Sequence, residues 1–193
     1  DWSKLLQKRP EFIVTSIEMT DWQLLVEKWP HRDSFVRFKP SQSNGPSGPK
    51  RFVTTLKNVH AYRGTFVYED HETPWGVIAP NLDINVDNSD GYGGTATFGR
   101  GQISIQDYVP FWADFSAQLS IDGSQLDFGQ ITLTTDGAVT RAQGGLDVSK
   151  WPEMTLQVQS TMQLQRMREL FFKDEPWKLS GTGDFDGTFH LYK

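Results

Sequence analysis

Residues 154–165 read MTLQVQSTMQLQ, and apolar and polar side chains alternate along almost the whole stretch. Even-numbered positions carry methionine, leucine or valine with one serine, whereas odd-numbered positions carry only threonine and glutamine. A period of two is typical of a β-strand with one dry face and one wet face. The stretch therefore predicts a strand rather than a helix, in which apolar residues would recur every three or four positions.

The same alternation continues in the opposite phase from Trp177 to Leu191, WKLSGTGDFDGTFHL. At ~3.3 Å per residue these positions predict a strand of roughly 50 Å, which is longer than a compact sandwich needs. Gly181, Gly183 and Gly187 fall on the dry face of this strand and leave space above the backbone. We expect larger side chains opposite them, or bends in the strand, to account for that space.

Turn signals separate the other alternating stretches. Asp122-Gly123-Ser124 and Asp136-Gly137 predict hairpin turns, because glycine permits a positive φ, and Gly129 interrupts the phase as a β-bulge would. Arg100-Gly101 predicts a further turn. Near Asp21 the apolar residues change from odd-numbered to even-numbered positions, so the alternation is interrupted there. About ten or eleven strands result, which predicts an all-β fold built as a long, curved, mostly antiparallel meander.

Two short helices are expected, over residues 2–9 and 166–172. Pro10 ends the first, so residues 1–10 are interpreted as a short helix or linker and residues 11–193 as the β segment. Residues 40–50, rich in serine, glycine and proline, are expected to be a mobile loop within it. The sequence starts without methionine and stops inside a strand pattern, which we interpret as a fragment of a larger protein.

Composition excludes several classes of function. The chain has 193 residues, no cysteine and a net charge of −5. The acidic balance argues against a nucleic-acid partner, which would need a basic face, and the lack of cysteine excludes disulfides and thiol chemistry. No apolar run approaches the ~20 residues of a membrane-spanning helix. No phosphate-binding or dinucleotide motif occurs, so we expect no cofactor.

Two polar clusters are weak candidates for catalysis. His71 lies among Glu69, Asp70 and Glu72, and a carboxylate–histidine pair can serve acid–base chemistry, but such a cluster is more typical of a charged hairpin loop. Asp184 and Asp186 are expected about 7 Å apart on one strand face, a spacing that glycosidases use. Their strand pattern places them on the wet face. We therefore expect no catalytic residue and no metal ligand.

Several segments, taken in order, resemble the repeating unit of TamB/AsmA-like bacterial envelope proteins, the translocation and assembly module. They are RGTFVYED at 63–70 with TP at 73–74, NLDINV at 81–86, GTATF at 94–98, GQISI at 101–105, IDGSQL at 121–126, TTDGA at 134–138, GLDV at 145–148 and LSGTGDFDGTF at 179–189. The resemblance covers roughly residues 11–193. It implies a sheet folded lengthwise into an open, β-taco-like groove with an apolar interior, and it implies no catalytic residue.

The resemblance also implies a location and partners. The protein would lie in the periplasm of the cell envelope, with an inner-membrane anchor outside this sequence. Its groove would carry phospholipid or another acyl-chain lipid between membranes, or the protein would assist outer-membrane protein assembly together with an outer-membrane β-barrel assembly protein. Neither activity needs an enzyme.

The dry faces of the predicted strands supply the expected groove lining. Its residues are Phe115, Leu119, Ile121, Ile131, Leu133, Met154, Leu156, Val158, Met162, Leu164, Trp177, Leu179, Phe185, Phe189 and Leu191. A methylene group removed from water is worth ~0.8 kcal/mol. An apolar lining can therefore hold an acyl chain without specific polar contacts.

An extracellular β-sandwich that binds glycan or protein is the alternative. Trp75, Trp112, Trp151 and Trp177 would then form a flat platform for stacking sugar rings. Trp151 and Trp177 adjoin prolines at predicted strand starts, where an aromatic residue more often closes the end of a core.

Overall fold

The structure, a computed structural model, describes residues 11–34, 53–89, 91–147, 149 and 153–191. The helix expected over residues 2–9, the loop expected over residues 40–50 and Trp151 lie outside the described residues. The described residues form thirteen strands and one helix. In chain order these are β1 (Glu11–Val14), β2 (Ile17–Thr20), β3 (Gln23–Trp29), β4 (Arg32–Asp33), β5 (Val53–Leu56), β6 (Asn58–Asp70), β7 (Trp75–Asn88), β8 (Tyr92–Ile105), β9 (Phe111–Asp122), β10 (Gln125–Thr135), β11 (Ala138–Asp147), β12 (Met154–Gln163), α1 (Leu164–Phe171) and β13 (Thr182–Leu191).

One large sheet dominates the fold. The strands β6 to β13 form an antiparallel meander in which each strand pairs with the next. At one end of the sheet, β2 and β3 pair with β6 in parallel and β4 pairs with β3, whereas β13 forms the opposite edge. Among the described residues this sheet does not close on itself, and β1 and β5 form a separate two-stranded sheet. The expected all-β, mostly antiparallel open sheet is therefore confirmed, and the two sheets of a sandwich are not what the described residues form.

The N-terminal strands follow one constant register. Glu11 pairs with Val53, Ile17 with Val59 and Gln23 with Thr65, so partners are always 42 positions apart. The strands β1, β2 and β3 are thus one extended segment with two interruptions, which runs in parallel with β5 and β6. Asp21, where the sequence phase slips, forms one interruption and has a φ of 55°.

A line of left-handed residues crosses the adjoining strands. Asp21, Arg63, Asn81 and Arg100 all have φ between 51° and 55°, and the ladders of β6, β7 and β8 are irregular beside the last three. Asp21 and Arg63 form a two-point ion pair at 2.8 and 2.9 Å, and the backbone N–H of Arg100 donates to Asp114 Oδ1 at 2.6 Å. Bulges of this kind bend a strand, so these residues form a crease across the sheet.

The final strand is shorter than the alternation predicts. It begins at Thr182 rather than Trp177, because its partner β12 ends at Gln163, which pairs with Thr182. Trp177 and Leu179 therefore precede the strand. The segment before it is instead held by Arg168, which donates to the carbonyl oxygens of Glu175 at 2.6 Å and Trp177 at 2.7 Å.

Two other expectations need correction. Arg100-Gly101 is a bulge within the continuous strand β8, not a turn, because β7 and β9 pair with β8 on both sides of it. The helix begins at Leu164 and ends at Phe171, so Leu164 belongs to its first turn rather than to the preceding strand.

Candidate functional site: the apolar face of the sheet

One face of the large sheet carries its apolar side chains. Along β12 every second residue is partly buried, including Met154, Leu156 and Val158, while the glutamines and threonines between them are exposed. Residues that pair directly on adjacent strands point to the same face. Consecutive pairs therefore trace rows that cross the sheet, and the side that carries Leu156 is called the apolar face below.

A row of mostly small residues crosses eight strands of this face without a break. Each member pairs directly with the next, and no bulge interrupts the row between them. Its members are Ala61, Ile84, Ala96, Ala117, Ile131, Ala142, Val158 and Gly187. With strands ~4.8 Å apart, this floor row is roughly 34 Å long.

Larger side chains flank the floor row on both sides. One flanking row contains Val59, Val86, Gly94, Leu119, Phe128, Gly144, Leu156 and Phe189. The other contains Phe98, Phe115, Leu133, Thr140, Ser160 and Phe185. Phe98 and Phe115 stack with ring centroids 5.2 Å apart. The hydroxyl groups of Thr140 and Ser160 hydrogen-bond to each other at 2.8 Å. The two polar side chains in this row are therefore each other's hydrogen-bond partners.

The glycines of β13 do not leave open space on this face. A Cβ built on Gly187 would lie 2.8 Å from Phe185 Cζ, and one built on Gly183 would lie 2.9 Å from Leu164 Cδ2. Phe185 of the same strand and Leu164 of the helix therefore occupy these two positions, whereas nothing lies within 4 Å of a Cβ built on Gly181. Gly181 precedes the strand and has a φ of 94°.

The helix α1 lies at one end of the apolar face. The ring of Phe171 meets those of Tyr108 and Phe111 edge-on, at centroid distances of 5.3 and 5.9 Å. Leu170 is only 3% exposed. Arg166 bonds to Asp136 in the β10–β11 turn and to Glu169 within the helix. The helix thus closes the end of the face at which β8 ends and β9 begins.

The described residues provide no second sheet of comparable size to cover the remainder of this face, because β6 to β13 all belong to one sheet and α1 is the one helix. No large side chain of the described part of the chain is fully buried, and Phe185 and Phe189 remain 49% and 47% exposed. A packed core of this size would bury its large apolar residues almost completely. The face is therefore an apolar surface rather than one half of a closed core.

Most residues predicted to line a groove come together on this face. Phe115, Leu119, Ile131, Leu133, Leu156, Val158, Phe185 and Phe189 lie in the three rows above. Ile121 and Met154 belong to the next row, in which Leu191 pairs with Met154, and Met162 pairs with Gly183 beside α1. Leu164 reaches the face from the helix, whereas Trp177 and Leu179 lie outside the strands.

The prediction missed other members of the face. The alanines of the floor row are too small to stand out in a hydropathy pattern, although Ala96, Ala117 and Ala142 alternate with exposed polar residues as the larger residues do. Phe98 and Phe128 carry the same alternation and could have been included. Phe111 begins β9 in phase with Phe115 and pairs with Ile103, whereas Tyr108 lies in the connection before β9 and is assigned to this site by its contact with Phe171.

A buried carboxylate lies near the helix end of the sheet. Among the described residues Asp70 is the one buried charged side chain. Its carboxylate accepts hydrogen bonds from Lys28 Nζ at 2.9 Å and from the backbone N–H groups of Glu72 and Thr73 at 2.9 and 3.0 Å. Burial would raise the pKa of Asp70, but these donors outweigh burial, and the pKa lies below its usual value. Burial and the Asp70 charge raise the pKa of Tyr68 to about 12.

The acidic cluster around His71 forms ordinary ion pairs on the other face. His71 Nε2 lies 3.3 Å from Glu27 Oε1 and 3.8 Å from Glu69 Oε2, and its ring stacks on Trp29 at 4.9 Å. These three ionisable groups are close enough to approach one metal ion. Glu69 and His71 are exposed, however, and exposed acidic groups of this kind are common without a metal ion, so their geometry carries no catalytic assignment.

The other candidates from the sequence also lie on the polar face or apart from one another. Asp184 accepts a hydrogen bond from Thr161 at 2.8 Å and Asp186 from Gln159 at 2.9 Å, and both carboxylates are exposed. Trp75 shares the face of Phe111 through Val77 and Ile103, whereas Trp112, adjacent to Phe111, points to the opposite face. Trp75 and Trp112 therefore do not form a common flat platform.

Comparisons with known proteins provide no relative for this chain: no family model, no curated protein and no solved structure gives a significant match. Within the described residues, no helix has the length and apolar character needed to cross a membrane.

Proposed function

We propose that this chain is a non-enzymatic segment of a TamB/AsmA-like bacterial envelope protein. In this proposal its apolar face carries phospholipid, or another acyl-chain lipid, between membranes or assists outer-membrane protein assembly. The protein would act in the periplasm, with an anchor in the inner membrane. The observation that supports the proposal is the partly exposed apolar face, in which three aligned rows of side chains have no second layer over them among the described residues.

The chemistry of this face suits an acyl chain better than a polar ligand. Burying apolar surface stabilises a complex by about 25 cal/mol per Å², and a chain that lies along the floor row would cover the half-exposed aromatic residues beside it. The lining offers few polar groups, and Thr140 and Ser160 already satisfy each other. The affinity would therefore depend on the length of the acyl chain rather than on the headgroup. Because the lining makes no strong local contacts, the lipid could move along the row.

Lipid binding can be tested with a pair of neighbouring substitutions in β9. Leu119→Asp places a carboxylate on the apolar face, whereas Gln118→Asp places the same group on the exposed face of the same strand. A charge without a partner is costly in an apolar environment, so we expect Leu119→Asp to lose co-purified lipid and Gln118→Asp to retain it. Native mass spectrometry of gently extracted protein measures the bound lipid, and circular dichroism verifies that both variants keep their strands.

A second variant and two titrations make the test specific. Leu156→Asp in β12 should behave as Leu119→Asp does, because both residues belong to the same flanking row. Affinity should rise with acyl-chain length and change little with salt, because the contacts are hydrophobic. Wild-type protein without lipid, equal lipid loss in Gln118→Asp, or tight sugar binding in place of lipid would contradict the proposal.

A further inference from the structure

A stripe of mostly apolar side chains crosses the polar face, the side of the sheet opposite the apolar face. Direct pairing aligns one residue from each of the neighbouring strands β3, β6, β7, β8 and β9. Its members are Leu25, Val67, Ile78, Gln102 and Trp112. With strands ~4.8 Å apart, this polar-face stripe is roughly 19 Å long.

The large members of the polar-face stripe are open to solvent. Leu25 is 52% exposed, Ile78 43% and Trp112 42%. A single exposed apolar residue is ordinary, whereas exposed apolar residues aligned among polar neighbours mark a contact site. Tryptophan is also enriched among the residues that dominate the energy of protein interfaces. The stripe therefore offers an apolar contact that is separate from the apolar face.

One end of the polar-face stripe is acidic. Glu27 and Glu69 pair directly with each other, and each lies two positions along its strand from a member of the stripe, on the same face. His71 contacts both carboxylates, at 3.3 and 3.8 Å, and can neutralise at most one of them. Residues 27–33 and 69–72 together contain five carboxylates, one lysine, one arginine and two histidines. Three negative charges are therefore in excess when the histidines are neutral.

We propose that the polar-face stripe is the docking surface for a cationic amphipathic segment of another protein. The apolar side chains of that segment cover Leu25, Ile78 and Trp112, and its lysine or arginine side chains pair with the carboxylates at the acidic end. Such charge complementarity steers association and selects the partner. As a helix, with a rise of about 1.5 Å per residue, the segment needs about 13 residues to span the stripe.

Other occupants match the charge of this surface less well. A second copy of the chain carries the same net charge of −5, and an anionic membrane surface attracts cations rather than carboxylates. A sugar ring would meet one exposed tryptophan in the stripe instead of a flat platform. The inference concerns the opposite face of the sheet from the proposed lipid surface and does not depend on lipid binding.

The proposal can be tested with a fluorescently labelled synthetic peptide of about 14 residues. Its leucines and lysines are arranged at helical spacing, so that one side is apolar and the other cationic. Fluorescence anisotropy should show that the wild-type chain binds this peptide and that binding weakens as salt is raised, because surface ion pairs are screened. The same peptide with glutamate in place of lysine should not bind.

Two neighbouring leucines of β3 provide matched variants. Leu25→Ser removes an apolar side chain from the polar-face stripe, whereas Leu24→Ser removes one from the opposite face, where Leu24 is 42% exposed. The dissociation constant of the peptide should rise about fivefold or more for Leu25→Ser, and also for Trp112→Ser, because less apolar surface is buried. It should change little for Leu24→Ser. Circular dichroism verifies that the variants keep their strands.

The acidic end is tested in the same way. Combined Glu27→Gln and Glu69→Gln should raise the dissociation constant about threefold or more and make it less sensitive to salt. Combined Asp184→Asn and Asp186→Asn, which removes two exposed carboxylates from β13, should leave both properties almost unchanged. A wild-type chain that does not bind the peptide, or control variants that lose as much affinity as the stripe variants, would overturn the inference.

The absence of cysteine allows the contact to be located. An environment-sensitive fluorophore on Gln102→Cys, in the stripe, should respond to the peptide, and one on Gln157→Cys, an exposed position of β12, should not. Equal responses at the two positions would contradict docking on the stripe. Dimers of the wild type that Trp112→Ser abolishes, or chemical cross-links from the stripe to residues 35–52 of the same chain, would assign the stripe to another occupant and overturn the inference.

Discussion

Asp70 shows at the residue scale how one buried charge organises a corner of the sheet. Its carboxylate accepts the backbone N–H groups of Glu72 and Thr73 in the β6–β7 turn and pairs with Lys28 of β3. Lys28 also contacts Glu72 at 3.0 Å. A buried carboxylate is stable only when its acceptor sites are filled, so Asp70 couples a turn, a long strand and the parallel strand beside it.

We expect Asp70→Asn to lower the free energy of unfolding by about 1–3 kcal/mol near neutral pH, because the charge-assisted bonds from Lys28 and the turn are weakened. Urea denaturation measures this loss. Glu72→Gln, which removes the exposed carboxylate on the same lysine, is the control and should change stability by less than ~1 kcal/mol. Equal effects of the two substitutions would contradict the role given to Asp70.

The pKa of Asp70 gives the direction of the pH dependence. Since its pKa is lowered in the folded protein, the unfolded chain binds the proton more tightly, and the stability from Asp70 is lost as the pH falls through the folded-state pKa. The difference in unfolding free energy between the wild type and Asp70→Asn should therefore be constant above the unfolded pKa of 3.8 and shrink below it. A difference that grows in acid would be the opposite result.

At the scale of elements, α1 depends on the sheet for its stability. Eight residues are too few for an isolated helix in water, and Gln163, the N-cap residue that precedes the helix, makes no side-chain capping bond. The helix is held by Leu170 and Phe171 against the apolar face and by Arg166 to Asp136. It is therefore expected to open more readily than the strands on which it packs.

Leu170→Ala should release α1 while leaving the sheet folded, because the lost burial of a leucine side chain costs about 2–5 kcal/mol. Hydrogen exchange followed by mass spectrometry should show faster exchange over residues 164–171 with little change in β9 and β10. Gln165→Ala, at an exposed position of the same helix, serves as the control and should leave the exchange of α1 almost unchanged. Faster exchange throughout the meander would mean that the helix and sheet unfold together.

At the scale of the whole molecule, a line of left-handed residues crosses the sheet and forms its crease. Asp21 lies between β2 and β3, whereas Arg63, Asn81 and Arg100 lie within β6, β7 and β8, and all four residues are exposed. An L-residue in this conformation costs roughly 1–2 kcal/mol, so neighbouring contacts must hold it there. The Asp21–Arg63 ion pair is one such contact.

Asn81 allows the crease to be tested. Asparagine and glycine tolerate a left-handed backbone, whereas a β-branched residue does not. Asn81→Val should therefore lower the free energy of unfolding by about 1–2 kcal/mol, and Asn81→Gly should stay within about 1 kcal/mol of the wild type because relief of strain is offset by entropy. Chemical denaturation measures both. Asn85→Val, at an exposed position on the same strand, is the control, and an equal loss there would argue against strain at Asn81.

The sequence alone predicted which face of each strand is dry. The alternation in residues 154–163, the hairpin turns at Gly123 and Gly137, and the bulge at Gly129 all occur where they were expected. These features depend on a residue and its immediate neighbours, since the two-residue period and the φ preference of glycine are local properties. The all-β class and most of the apolar face follow from them.

The tertiary structure decided everything that depends on distant partners. The alternation of residues 177–191 cannot reveal that the strand starts at Thr182, because that limit is the end of β12. The parallel pairing of residues 11–28 with residues 53–70, the alignment of small residues into the floor row and the docking of Phe171 onto Tyr108 likewise join segments far apart in the chain. A local period fixes the direction of a side chain, whereas register and contact between separate segments are set by packing, and these place the apolar residues side by side on one surface.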